Sequence, residues 1–412
     1  MWWASHGRTA LRAAVTLMGS AALVWLSYES FRFYWQPTSI GSMPVHPGAY
    51  DLKIFHSMVN AWFAGTPVYT GPTGYLNTHP PATMVLIWPV YGWRDLDAAV
   101  FVWTVTAAAG LAWLVYLVVR ESAAATPLEK AFAAVIPLAI YPTGAVVGNG
   151  QIVLQVLPLL IGSLLLLHRG PKRWRRDFLA SLLFLFALAK PIIAAPFFWI
   201  VIFTAGSLRP AVLIVAAYVV ATLFAVSFQE ASTMELLREF IGRAATTSTQ
   251  AGEANVHILL AHLGHKELAA PASVTILSLL GIWIWRRRHD DLWVLIGVTA
   301  LVARFWSYHR WYDDLLILLP MVTLFRIAKI GPRSRGTDAA AGLLLGVTLI
   351  FMIAPGGLYL LPSPWDEVYV DVQVLIWMAD LVFLVCWRRP TNGRVPVPID
   401  PHLFAPFRGR PR

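Results

Sequence analysis

Charge is scarce in this sequence. Only 13% of its 412 residues are Asp, Glu, Lys or Arg, against roughly a quarter in an ordinary soluble domain. With 58% hydrophobic residues and a mean hydropathy of +0.62, that shortage excludes a soluble globular class and implies a polytopic membrane protein. Cysteine is scarcer still: Cys386 stands alone, so no internal disulfide can form, compartment cannot be read from thiols, and a thiol mechanism is disfavoured. The chain also lacks a P-loop, a dinucleotide fingerprint, a Ser-His-Asp signature and a zinc motif. Nor does it alternate apolar and polar residues as an outer-membrane barrel would. Its Leu-, Val-, Ala- and Ile-rich runs therefore imply an all-α fold with spans of about 20 residues.

What is abundant fits that class. The 19 Trp and 13 Tyr suit the two membrane interfaces, where rings with a polar edge settle. Basic residues gather in short clusters: Lys172, Arg173, Arg175 and Arg176; Arg286 to Arg288; Arg326, Lys329, Arg333 and Arg335; and Arg388 and Arg389 leading into the tail to Arg412. Such clusters mark cytoplasmic loops. The net charge of +10 is then explained by topology and anionic lipid, and no nucleic-acid partner is needed.

These anchors predict about 12 spans with both termini inside, the first an uncleaved helix from Leu11 to Tyr28. Pro80–Trp93 is expected to return the chain to the cytoplasm and Ala98–Val119 to take it out. Ala131–Gly148, broken by Pro137 and Pro142, reads as an outer-face or re-entrant element, because a crossing there would put the next basic cluster outside. Two long loops, 33–78 and 229–271, fall on the outer face, and loops of that length are usually functional. The first carries Leu52, Phe55, Val59, Trp62 and Phe63 near a 3.6-residue period, predicting an amphipathic helix in the interface plane. The second carries MELLREFIGRAA from Met234, with Arg238, Glu239 and Arg243 expected on its wet face. The whole chain reads as one membrane-embedded domain, with 388–412 as a cytoplasmic tail.

In order along the chain, Asp51 follows the first span, TGYLNTHPPATMVLIWP begins at Thr73, GNGQIVLQVLPLL at Gly148, FALAKPIIAAPFF at Phe186 and SYHRWYDDLLILLP at Ser307. Together these resemble the membrane-embedded GT-C glycosyltransferases of family 87. That group includes polyprenol-phosphate-mannose-dependent mannosyltransferases and related arabinofuranosyltransferases. His79 departs from the aromatic residue that the resemblance would place before the paired prolines.

The resemblance implies transfer of a sugar, mannose first and arabinofuranose second, from a polyprenyl-phosphate donor to a hydroxyl of a glycolipid or glycan on the outer face. Such a reaction needs a base for the acceptor proton and cations for the leaving phosphate. Asp51, the first acid after span one, is expected to be the base; the alternative is a helix cap. Lys190 lies in an apolar run just before Pro191, so it should face a polar cavity rather than lipid unless it snorkels to the interface. Arg304, His309 and Arg310, with Tyr308 beside them, form the other expected phosphate group; the alternative is an interfacial anchor. Tyr75, Asn77, His79, Asn149 and Gln151 are expected to line the sugar site, although Asn149 and Gln151 could equally cap a helix.

Asp313 and Asp314 invite a metal, but adjacent helical residues point about 100° apart. Ion pairing to Arg304 or Arg310 is the reading taken, and neither metal nor cofactor is assigned. His56 and His257 are not expected to be catalytic. A transporter or flippase is the rival from another class; it should show inverted repeats, and none is evident. An acyl- or phosphotransferase should show a His-Asp or Ser nucleophile, which the loops do not clearly offer.

Overall fold

The computed structural model describes residues 2–35, 39–40, 43–44, 48–70, 78–250, 255–330 and 335–388. Tyr75, Asn77, Arg333 and the tail beyond Arg388 lie outside these residues. Apart from a two-residue antiparallel ladder, Ser39–Ile40 against Met43–Pro44, the described chain is helical. In order it contains α1 (Trp2–Trp35), α2 (Tyr50–Phe63), α3 (Pro81–Tyr91), α4 (Leu96–Glu121), α5 (Pro127–Ala139), α6 (Tyr141–Asn149) and α7 (Val153–Arg169). Then come α8 (Trp174–Ala187), α9 (Pro191–Ala194), α10 (Phe198–Thr204), α11 (Arg209–Val226), α12 (Thr233–Gln250), α13 (Val256–His262) and α14 (Ala269–Arg287). The remainder is α15 (Leu292–Phe305), a 3-10 turn over Trp311–Ile317, α16 (Leu318–Ile330), α17 (Arg335–Met352), α18 (Gly357–Leu360) and α19 (Trp365–Cys386).

Among the described residues, five helices are long and apolar enough to cross a membrane, α1, α4, α11, α14 with the turn before it, and α19, and five shorter apolar helices pack among them. The chain is thus a helical membrane protein. Many of the long helices' large side chains face outward, among them Leu23, Phe101, Val220, Leu279 and Leu375. In water such a surface would be an aggregation site; in lipid it is the expected one.

Two ends of the bundle can be told apart by their contacts. At the basic end, Glu121 pairs with Arg169 at 2.6 Å, its backbone carbonyl accepts from Arg326, and Lys329 meets Glu129 at 2.5 Å. At the loop end, Arg32 reaches Asn149 at 3.3 Å and Trp62 donates to the Ala225 carbonyl at 2.8 Å.

This polarity corrects two expectations. The helix at Pro80–Trp93 does not cross: the Trp93 carbonyl accepts from His56 at 2.9 Å and Asn60 at 3.3 Å, so α3 begins and ends at the loop end. Its 11 residues span about 16 Å, half the thickness of a bilayer core of about 30 Å. Ala131–Gly148, expected to be re-entrant, does traverse the bundle. Helices α4 and α7 lie parallel, in contact from Trp103 against Gln151 to Glu121 against Arg169, and sequential parallel neighbours need a return pass between them. That pass is α5 with α6, aligned with α1 from Gly19 beside Val135 to Gly148 beside Arg32.

The break between α5 and α6 is satisfied inside the protein, as a broken helix at membrane depth requires. Ile140 is extended and bridges to Ile353, the Ala139 carbonyl accepts from Ala354 at 2.8 Å, and Thr143 Oγ1 donates to the Pro137 carbonyl at 2.5 Å.

The loop helices are also more embedded than amphipathicity suggests. Leu52, Phe55, Met58, Val59 and Trp62 of α2 are buried, against α3, α4 and α6; Phe63 is half-buried. Each such burial contributes roughly 1.5–3 kcal/mol relative to exposure in water, so α2 belongs to the scaffold. In α12, Arg238 is exposed as expected, but Arg243 turns inward and donates to the Tyr69 carbonyl at 3.0 Å.

These placements can be checked by labelling. In a Cys386→Ser background, Arg94→Cys should react with an impermeant maleimide from the same side as the 48–70 segment, and Ala125→Cys only from the opposite side. The reverse labelling pattern would restore the crossing at Pro80–Trp93.

Candidate active site

At the loop end, four stretches far apart in sequence meet around Asp51. They are the start of α2, the turn between α6 and α7, the break between α8 and α9, and the loop from Tyr308 to Asp314. Each is placed by local chemistry. Asp51 sits in the first turn of α2 and does not cap it, since the cap position is Ala49, in left-handed backbone with φ 52° and no side-chain cap bond. The α8 helix ends at Ala187 and α9 begins at Pro191, because Pro191 can start a helix but cannot continue one. Lys190 occupies the gap that results.

Lys190 is 3% exposed, which rules out snorkelling to the interface. Its Nζ lies 2.5 Å from Asp313 Oδ1 and 3.3 Å from Gln151 Oε1, and 4.6 Å from the centre of the Tyr312 ring. The other Asp313 oxygen meets His309 Nδ1 at 3.3 Å and the Arg310 backbone N–H at 3.3 Å. Burial pushes the Asp313 carboxyl up, but Lys190 and His309 outweigh it and hold it below the ordinary carboxylate range. An ionised Asp313 only accepts, so His309 Nδ1 carries the hydrogen. His309 Nε2, fully buried, is left without a partner among the described residues.

Asp51 is half-buried beside this pair. Burial pushes its carboxyl up from the ordinary 3.8; a hydrogen bond from Gln151 and the charges of Lys190 and Arg310 pull it back, Asp313 pushes it up again, and the net direction is up. Arg310 Nε donates to the Tyr308 hydroxyl at 2.7 Å, and its guanidinium lies 5.6 Å from the Trp311 ring centre. His79, half-buried where the first loop rejoins the bundle, packs its ring 5.2 Å from that of Phe55, and its carbonyl accepts from Tyr69 at 2.6 Å. Burial and the nearby Lys190 charge push its imidazole down to about 4, so it is neutral near pH 7.

Asp51, His79, Gln151, Lys190, Tyr308, His309 and Arg310 therefore converge. Two expected members do not join them. Arg304 pairs with Asp314, as the sequence suggested, and its guanidinium lies 5.4 Å from the Trp377 ring centre, on the α19 side. Asn149 accepts from Arg32 on the α1 side, where Arg32 also holds Glu29 at 2.7 Å. Asp313 is the member that sequence reasoning missed: it pairs with Lys190, 123 residues away, not with Arg304 or Arg310. Glu29 and Arg32 were missed as well, although two charges three residues apart inside an apolar helix were a visible signal. Among the described residues, no three of His, Cys, Asp and Glu come close enough together to hold a metal ion.

The sequence model described as "Glycosyltransferase family 87" matches residues 77–312, more than half of the chain. The chain belongs to glycosyltransferase family 87. No curated protein and no solved structure matches it. The matched stretch includes His79, Gln151, Lys190, Tyr308, His309 and Arg310; Asp51, Asp313 and Asp314 lie outside it. The protein is thus a membrane-embedded glycosyltransferase that uses a sugar donor and an acceptor, with a polar cluster at one end of its bundle.

The Lys190–Asp313 pair should dominate the stability of that cluster. Removing one member leaves a buried charge uncompensated, so Lys190→Met should cost about 3–5 kcal/mol, while Lys190→Met with Asp313→Leu should recover much of the loss. Thermal unfolding in detergent, compared across the two single variants and the double, checks this.

Proposed function

We propose that this glycosyltransferase moves a sugar, mannose before arabinofuranose, from a polyprenyl-phosphate donor to a hydroxyl of a lipid-linked or cell-envelope glycan. The observation that carries this reading is the convergence of one raised carboxylate, Asp51, with Lys190, His309 and Arg310 at the end of the bundle opposite the basic clusters. Those clusters favour a cytoplasmic position for their own end and for both termini. The site then faces outward in the plasma membrane, with about 12 passes once α5–α6 replaces α3 in the count.

In the proposed reaction Asp51 takes the proton of the acceptor hydroxyl as its oxygen bonds to the anomeric carbon. The bond from that carbon to the phosphate oxygen breaks, and its electron pair leaves with the polyprenyl phosphate. Arg310, Lys190 and His309 hold that phosphate; for His309 this requires a second proton, on Nε2, which phosphate charge would favour. Arg304, bound to Asp314, acts from behind the 308–314 loop. His79 and Tyr308 provide neutral hydrogen-bonding groups for sugar hydroxyls.

A single displacement, with inversion, suits the carboxylates present. A covalent intermediate would need a second available carboxylate, but Asp313 is held by Lys190 and His309, and Asp314 by Arg304 and Tyr141. The reaction is proposed to need no metal, so full activity in excess chelator is the expected result.

Two measurements test the assignment. Asp51→Asn should lower kcat by about 10²–10⁴-fold while the inserted protein still binds donor; substantial residual turnover would remove Asp51 as the base. The base works ionised and its carboxyl is raised. The acid limb of the kcat profile should therefore lie above the ordinary carboxylate value of 3.8, with activity lost as pH falls through it and retained above. Presenting purified protein with a panel of polyprenyl-phosphate sugars, with products read by mass spectrometry, identifies the donor.

A further inference from the structure

The turn Gly148–Asn149–Gly150–Gln151 is built against the start of α2. The Gly148 carbonyl accepts from the Ala49 backbone N–H at 2.8 Å, which fixes the residue two before Asp51. Gly150 has φ +73°, and a Cβ on it would lie 2.5 Å from the Leu52 Cβ, which fixes the residue after Asp51. Only glycine meets both conditions. From below, a Cβ on Gly148 would meet Glu29 Oε2 at 1.7 Å, Asn149 is held by Arg32, and the Gly150 and Gln151 carbonyls accept from Tyr91 at 2.9 Å and Trp103 at 3.2 Å. Gln151 completes the arrangement. Its Oε1 accepts from Lys190 at 3.3 Å, so its Nε2 is the atom left to donate to Asp51.

We propose that this turn is the seat of the base, and that Gln151 is a positioning residue whose amide orients the Asp51 carboxylate between the Lys190 ammonium and the acceptor, rather than a ligand of the sugar. The inference rests on the reading of Asp51 as the base. It reassigns Gln151 from substrate contact to control of the group that takes the proton, and it gives each glycine a function, Gly150 the close approach of α2 and Gly148 that of Glu29 and Arg32 on α1. A hydrogen bond donated to the ionised carboxylate favours that form, so losing it moves the pH dependence of the reaction and not only its rate.

The test is the pH profile of sugar transfer by full-length protein in detergent, with polyprenyl-phosphate mannose as donor, for wild type, Gln151→Leu and Gly150→Ala. Gln151→Leu should move the acid limb of kcat to higher pH and lower kcat by about tenfold or more at neutral pH, with KM for donor and acceptor within about twofold. Gly150→Ala should likewise lower kcat, because it displaces Leu52 and with it Asp51. If Gln151→Leu fails to accumulate, Gln151→Met, of nearly the same length and without the amide, gives the same readout. An unmoved acid limb with a raised KM would overturn the proposal in favour of sugar contact. Wild-type rates for both variants would overturn it outright. Failure of the base assignment is distinguishable, because Asp51→Asn would then retain turnover; if only the seat is wrong, Asp51→Asn stays inactive.

Discussion

The ion pair between Lys190 and Asp313 is the constraint on which the site depends. Neither charge could sit at 3% and 1% exposure without the other, since the desolvation of an isolated ion costs several kcal/mol. The pair joins the break after α8 to the turn before α16, and the rest of the cluster is attached to it. His309 and the Arg310 backbone bind the far oxygen of Asp313, Tyr312 packs beneath the ammonium, and Gln151 carries the link onward to Asp51. Helix breaks are therefore part of the architecture here: at Pro191 and at Gly150 the chain stops being helical where a side chain must face inward.

The electrostatic consequence is a division of labour among three aspartates close in space. Asp313 and Asp314 are each tied to a buried cation, and so are unsuited to accept a proton from substrate. Asp51 has no such tight partner among the described residues and is pushed up by burial. Carboxylates whose surroundings push them apart mark the acid and base assignments of a site. The same reasoning separates the arginines: Arg304 neutralises Asp314 inside the bundle, whereas Arg310 is half-buried and near Asp51.

Much of this was legible in the sequence, and the failures have physical causes. The membrane class followed from scarce charge, the buried face of α2 from its 3.6-residue period, and the gap at Lys190 from Pro191. The two exchanged crossings are one error: once the short helix at Pro80–Trp93 counts as a pass, a second pass at Ala131–Gly148 would put the next basic cluster outside. The α3 helix is uniformly apolar but too short, while α5–α6 is long enough but interrupted by Pro137 and Pro142. Arg120 and Lys130, flanking the α4–α5 connection, were the signal for the basic end, and Glu129 and Glu121 in fact pair with the basic residues there. The partners of Asp313 and Asn149 could not be read locally, because Lys190 is 123 and Arg32 117 residues away. Sequence reasoning found residue types suited to the chemistry; packing decided which of them meet.

In the proposed reaction donor phosphate and base meet at the loop end of the bundle, between Asp51 and the Lys190–His309–Arg310 group. The most direct test is a cryo-EM structure of the protein with a non-hydrolysable polyprenyl-phosphonate sugar. Phosphonate density is expected against Arg310 and His309, with the anomeric carbon facing the Asp51 carboxylate across the room needed for one acceptor oxygen. Phosphonate density among the arginines of the opposite end, or a sugar facing away from Asp51, would contradict it.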